Sequence, residues 1–259
     1  MATDFSPALI VVDVQEDFCP PVRITHSPSF VLSSVLRPLS SHEPMSLTNL
    51  HSQNGSLAVA DGRAIISTVN DLLALPFTLK IATKDWHPAK HISFASSHPS
   101  KRPFLDTTTI TNPSNAAESY ESRLWPDHCV QHTPGAELVP ELNVGLVDRV
   151  VEKGTESAVE MYSAFYSPLR EPRCCDSGLV GLLKGKGVTD VYVVGLAFDY
   201  CVKATATDAA REGFRTVVVR EGTRAVDADS WEGVVRELDR EGVRVVGVAE
   251  EEVRKNGGL

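Results

Sequence analysis

The stretch Asp190-Val191-Tyr192-Val193-Val194-Gly195-Leu196-Ala197-Phe198-Asp199-Tyr200-Cys201-Val202 decides how this chain is read. Its first half is a short apolar run rich in β-branched residues, the pattern of a strand buried on both faces. Near Tyr200 it gives way to a helical pattern that runs to Glu212, rich in Ala and Thr and so able to pack closely on a sheet. Cys201 falls at the strand-to-helix turn, beside unpaired backbone N–H groups at the positive end of a helix. That setting favours thiolate over thiol. The same N–H groups suit the oxyanion that forms when a thiolate attacks an amide carbonyl. The plain alternative is a buried cysteine acting as a small, inert hydrophobe.

Working outward, the same rhythm recurs. Apolar runs at Ala8–Val14, Thr78–Lys84, Asp148–Lys153, Arg215–Arg220 and Val243–Val248 join Asp190–Leu196 as strand candidates. Helical periodicity fills most of the gaps, over Ala60–Leu75, Asp176–Lys186, Tyr200–Glu212 and Trp231–Arg240. Strands alternating with helices predict a doubly wound α/β domain, with a mainly parallel six-stranded sheet and helices on both faces. In such folds ligands sit outside the carboxyl ends of the strands. Asp13, Asp85, Lys153 and Cys201 all lie at or just beyond predicted strand carboxyl ends, which predicts one shared site. Two segments break the rhythm. Residues 104–123, rich in Thr, Ser and Asn, read as a long surface loop. Val22–Gln53 has many Ser and Pro and no period, and a structureless stretch of that length is unusual inside a compact domain.

The bulk properties narrow the class. The chain has 259 residues, enough for one domain with a sizeable core, and it reads as a single domain over 1–259. A net charge of −9 argues against a nucleic-acid binder, which needs a basic face. The 5 cysteines lack zinc-finger spacing, and two of them, Cys174 and Cys175, are adjacent. That usage fits a reducing, intracellular setting, cytoplasmic with the nucleus left open, rather than secretion. Neither a signal peptide nor a membrane span is apparent.

Four constellations carry chemistry. Asp13 ends a buried apolar strand, where a carboxylate is either functional or a cap and hydrogen-bond acceptor. Asp85-Trp86-His87 in an extended segment can turn the carboxylate and imidazole to one face. With His128 downstream, one carboxylate and two imidazoles suit a hydrated divalent metal of zinc or iron type; the alternative is a polar surface loop. His91 is open between a ligand, a partner of a ligand and a surface histidine. Lys153 ends an apolar strand, either snorkelling to solvent or stabilising anions beside it.

Taken together, these segments resemble the nicotinamidase branch of the isochorismatase-like cysteine hydrolase family. The resemblance is carried by Asp13-Val14-Gln15-Glu16-Asp17-Phe18-Cys19-Pro20, Gly55-Ser56-Leu57-Ala58-Val59, Asp85-Trp86-His87-Pro88, His91-Ile92-Ser93-Phe94-Ala95, Leu124-Trp125-Pro126-Asp127-His128-Cys129-Val130, Glu152-Lys153-Gly154 and the Gly195–Val202 turn. It implies hydrolysis of nicotinamide to nicotinate and ammonia through a thioester, in NAD salvage. Cys201 would be the nucleophile, Asp13 the base and Lys153 the cation that keeps the anions ionised. Asp85, His87 and His128 would hold one divalent metal, zinc foremost, with iron or manganese as alternatives. Phe18, Trp125 and Tyr162 would wall the ring. A cis Leu196–Ala197 peptide would let the N–H groups of Ala197 and Cys201 form the oxyanion hole. The implied partner is a small molecule, with no nucleic acid or membrane, and a homo-oligomer is compatible.

The departure from the family is Val22–Gln53, which parts two motifs that run on almost directly in relatives. One origin is a translated retained intron. Val22 needs a codon starting GT, Gln53 can end in AG, and Leu47-Thr48-Asn49 can encode a branch-like sequence. The other is a genuine insertion. Competing functional readings are another small-amide hydrolase of the superfamily, disfavoured by the Asp85, His87 and His128 set, and a non-catalytic relative disabled by the extra segment.

Overall fold

A computed structural model describes residues 5–19 and 55–254; Val22–Gln53, and with it the question of its origin, lies outside the described residues. The chain enters on β1 (Pro7–Val12), passes a 3₁₀ turn into α1 (Ile66–Leu73), and returns on β2 (Leu79–Asp85). Next come β3 (Thr107–Asn112), β4 (Asn115–Arg123) and β5 (Arg149–Lys153). Then α2 (Leu179–Gly185), β6 (Asp190–Leu196), α3 (Lys203–Arg211), β7 (Arg215–Arg224), α4 (Trp231–Arg240), β8 (Arg244–Val246) and α5 (Glu251–Arg254) complete it. The six-stranded sheet runs β5-β2-β1-β6-β7-β8. Every pair in it is parallel, as the alternation of strand and helix requires.

Period-2 alternation divides the core into two layers. Leu9 and Val11 of β1 face the layer built on Ile66, Val69, Leu72 and Leu73 of α1. Ala8, Ile10 and Val12 face the opposite layer, with Leu179 and Leu183 of α2, Ala206 and Ala209 of α3, and Val234 and Leu238 of α4. The order reverses between β1 and β6, because the chain leaves β1 to one side and returns on the other. That reversal opens the crevice in which such folds bind ligands. Gly195 is required there: it has φ 112°, and a Cβ on it would lie 1.9 Å from the carbonyl oxygen of Val12. Among the described residues no helix is long and apolar enough to cross a membrane.

Several boundaries differ from expectation. The predicted loop over 104–123 is largely an antiparallel hairpin of β3 and β4. Only Ile110 and a few polar residues of it are buried, so Thr and Ser on both faces hide the strand pattern. The first strand stops at Val12, because Asp13 takes φ 48° and leaves the extended region. The helix expected from Tyr200 begins at Lys203, after a π-helical turn over Phe198–Val202 that carries Cys201.

Candidate active site

Four strand ends place one lysine among three acidic partners. Lys153, the last residue of β5, is fully buried, and its Nζ lies 2.9 Å from Asp13 Oδ2 and 2.5 Å from Asp85 Oδ1. The same ammonium donates to Cys201 Sγ at 3.4 Å and to the Met161 carbonyl at 3.3 Å. Snorkelling is thereby excluded for this lysine. Two carboxylates around one cation offset its desolvation, and loss of the cation would leave them facing each other in the interior. One oxygen each of Asp13 and Asp85 lies within 4.8 Å of Cys201 Sγ and of the other. Asp13 Oδ1 accepts a hydrogen bond from the Thr83 hydroxyl at 2.6 Å, while Asp13 Oδ2 faces the ammonium without a hydrogen bond of good geometry.

The electrostatics correct one expectation. Burial, and then the charges of Asp13 and Asp85, push the Cys201 thiol well above its ordinary value, against the pull of Lys153. Desolvation and two nearby carboxylates thus oppose the pull of the helix-end N–H groups and of Lys153. Burial pushes Asp13 up to about 6, with Lys153 and Thr83 opposing and Asp85 adding to the rise. Burial also disfavours charge on Asp85, but Lys153, then His87, hold it well below the usual carboxylate range. Burial opposes the Lys153 charge as well, yet Asp13 and Asp85 keep it well above the ordinary lysine value. Of the two carboxylates, only Asp13 is raised toward neutral pH.

Beside this group stands an imidazole set built on backbone carbonyls. His87 Nδ1 donates to the Gly154 carbonyl at 2.9 Å, and His128 Nδ1 donates to the Pro126 carbonyl at 2.8 Å. A carbonyl can only accept, so each ring carries its proton on Nδ1 and turns the Nε2 lone pair inward. His87 Nε2 lies 3.6 Å and His128 Nε2 3.9 Å from Asp85 Oδ2, and the three ligand atoms fall within 4.8 Å of one another. Among the described residues His87 Nε2, though buried, has no hydrogen-bond partner. An orphaned imidazole lone pair aimed at a second lone pair and a carboxylate oxygen fits a divalent cation. Gly154 makes room for this: it has φ 65°, and a Cβ on it would lie 2.4 Å from His87 Cε1.

His91 is brought close but used differently. Its ring stacks on His87 at 4.1 Å, while Nε2 donates to the Val159 carbonyl and Nδ1 accepts from the Ser93 hydroxyl. Burial, and then His87, push it down to about 4, so it is neutral at physiological pH. With both nitrogens engaged it braces His87. Sequence reasoning passed over Gln15 and Thr83, two buried polar residues in the adjacent turn and strand. Gln15 clamps Asp85 by accepting from its N–H and donating to its carbonyl, both at 2.8 Å.

Cys201, Asp85 and His128 open into one pocket with Phe18, Trp125, Tyr162 and Ala197, about 330 Å³ including its mouth. The Leu196–Ala197 peptide is cis, as the resemblance implied. Trp125 Nε1 donates to Tyr162 Oη at 2.9 Å, fixing both rings. Tyr200 also lines the pocket, edge-on to Trp125 at 4.8 Å; its place next to Cys201 in the turn was the available signal for it.

The isochorismatase domain family matches residues 7–250. The chain belongs to the isochorismatase family. The nicotinamidase of Acinetobacter baylyi is 36% identical over 220 residues, spanning 85% of this chain and 82% of that protein. Among solved structures, the yeast nicotinamidase bound to the inhibitor nicotinaldehyde superposes with a TM-score of 0.75 at 31% identity, covering 93% of this chain and 99% of that one. The pyrazinamidase of Pyrococcus horikoshii in complex with zinc superposes with a TM-score of 0.62, also at 31% identity, covering the same shares.

Proposed function

We propose that this family member is a nicotinamidase, hydrolysing nicotinamide to nicotinate and ammonia for NAD salvage. The observation that carries the reading is the meeting of Cys201, Asp85 and His128 in one aromatic-lined pocket. A thiol nucleophile, a proton carrier and an imidazole–carboxylate set beside aromatic walls match amide hydrolysis on a heteroaromatic ring. The nicotinamidase relatives support the choice of ring.

In this reading Asp13 Oδ2 takes the Cys201 proton as sulfur attacks the carboxamide carbon, and Lys153 steadies the paired anions. The N–H groups of Ala197 and Cys201 donate to the developing oxyanion. Asp13 hands its proton to the amide nitrogen, the C–N bond breaks, and ammonia leaves a thioester. Asp13 then takes a proton from water, which attacks the thioester carbon. The C–S bond breaks, the Asp13 proton returns to sulfur, and the acid leaves as nicotinate, giving its remaining proton to solvent. Phe18, Trp125 and Tyr162 hold the ring flat against Cys201. Asp85, His87 and His128 would hold one divalent metal, zinc by donor type and by the zinc-bound pyrazinamidase relative, with iron or manganese as alternatives. Such an ion supplies Lewis-acid attraction for the ring nitrogen or for water, and so orients the substrate. Ammonia release from nicotinamide by purified protein, with metal analysis of the same sample, tests the reading. Turnover by Cys201→Ala at the parent rate would overturn it.

A further inference from the structure

The active pocket uses one of five cysteines, and Cys174-Cys175 lies outside it. The other three are buried, whereas this pair is partly exposed. The pair sits in a tight loop pinned on both sides. Cys174 N–H donates to the Leu169 carbonyl, the Cys175 carbonyl accepts from Ser167 N–H, and the Cys174 carbonyl accepts from the Ser167 hydroxyl at 2.8 Å. Cys175 has φ 53°, a left-handed conformation uncommon for a residue with a side chain. The two thiols sit on adjacent residues of this loop, and Cys174 Sγ lies 3.3 Å from the Ser167 hydroxyl. Together they border an open cleft with Pro113, Thr155, Glu156 and Val159, about 800 Å³ including its mouth.

Neighbouring Cα atoms across a trans peptide are about 3.8 Å apart, below the usual 4.4–6.8 Å of a disulfide. A direct S–S bond between these two residues is therefore disfavoured. Insertion of a larger atom between the sulfurs relieves that misfit. Among the described residues no third cysteine, histidine or carboxylate joins the pair as a metal-ligand group. That absence argues against zinc, which asks for four ligands. A trivalent arsenic centre bearing one carbon substituent asks for two sulfurs only. Two preplaced thiols bind it with the advantage of an intramolecular second step.

The cleft wall has a further use. Gly154 and Val159, whose carbonyls hold His87 and His91, bracket the Thr155–Ala158 segment that faces the dithiol. We propose that Cys174 and Cys175 form a chelating site for monosubstituted trivalent arsenicals, through which turnover is inhibited from outside the pocket. In the binding step two As–S bonds form, and the arsenoxide oxygen leaves as water with the two thiol protons. Arsenic stays trivalent and no oxidant is needed.

The inhibition arm rests on the nicotinamidase reading; the binding arm does not. Full-length protein is treated with one equivalent of phenylarsine oxide, then followed by intact mass and by ammonia release. The expected result is one adduct, reversed by a dithiol but not by a monothiol. It should be present in Cys201→Ala and absent in Cys174→Ser and Cys175→Ser. Parent turnover should fall several-fold, and turnover of the two serine variants should not respond. No adduct, or an adduct that persists in both serine variants, overturns the site. A full adduct with unchanged turnover overturns the inhibition. Protein without nicotinamidase activity that still gives the cysteine-dependent adduct counts against the enzymatic reading and leaves the site standing.

Discussion

The two halves of the pocket are organised by different physics. Around Lys153 the geometry is set by charge: Asp13, Asp85 and Cys201 are drawn to one buried ammonium that ends a strand. Around His87 and His128 it is set by neutral backbone carbonyls, which fix the tautomers and leave lone pairs facing inward. Asp85 belongs to both halves, with Oδ1 on Lys153 and Oδ2 toward the imidazoles. In the first half even Asp13 Oδ2, without a well-formed hydrogen bond, faces the ammonium at 2.9 Å, whereas the second has a buried nitrogen with no hydrogen-bond partner among the described residues, which asks for a cation. Charge can be balanced inside the protein, but a converging set of lone pairs cannot.

That contrast is open to attack from either side. Cys201→Ala removes the only sulfur in the pocket lining among the described residues, and ammonia release should drop by on the order of 10⁴-fold or more while nicotinamide still binds. Lys153→Met strikes the charge half, leaving two buried carboxylates without a cation. Denaturant unfolding should register a loss of about 3–5 kcal/mol, and turnover should collapse with it. Unchanged stability would mean the ammonium is not the organiser.

The carbonyl half is tested by Gly154→Ala. The added Cβ would meet His87 Cε1, at a φ that favours glycine. Metal affinity, measured by competition with a chelator, should fall about 10–100-fold, because a ligand would lose its backbone support. An unaltered affinity would detach His87 from the metal. Asp13 gives the pH arm. It must be ionised to accept the thiol proton, and burial raises its pKa to about 6. Lowering the pH through 6 protonates it, so kcat/KM should fall about tenfold per unit below that point. An acid limb at the ordinary carboxylate value would place the base elsewhere.

The smallest effect is expected from deleting Val22–Gln53. The flanks already pair with each other: Leu57 N–H donates to the Asp17 carbonyl at 3.2 Å and Val59 N–H to the Phe18 carbonyl at 3.0 Å. Thermal unfolding and turnover of the shortened chain should match the full-length protein closely. A large loss in either would make the segment a working part of the domain.

Much of this was legible from the chain itself, because each readable element carries its own local signal. β6 and α4 fall where periodicity places them, Asp190–Leu196 and Trp231–Arg240. The hairpin over Thr107–Arg123 was not legible, since strands with polar residues on both faces lack the apolar alternation that marks a half-buried sheet. His91 could not be placed either. Its role depends on Val159 and Ser93 occupying both nitrogens, and one of those contacts comes from far along the chain.

The sequence by itself determined the parallel α/β scaffold and the residue types delivered to its strand ends, because hydrophobic periodicity and turn chemistry act over a few residues. Only the tertiary structure decided how those residues behave. Burial raises Asp13 and the Cys201 thiol, while Lys153 and His87 hold Asp85 low. These states are set by burial and by charges brought from four separate strand ends, and such forces exist only once the sheet has closed around them.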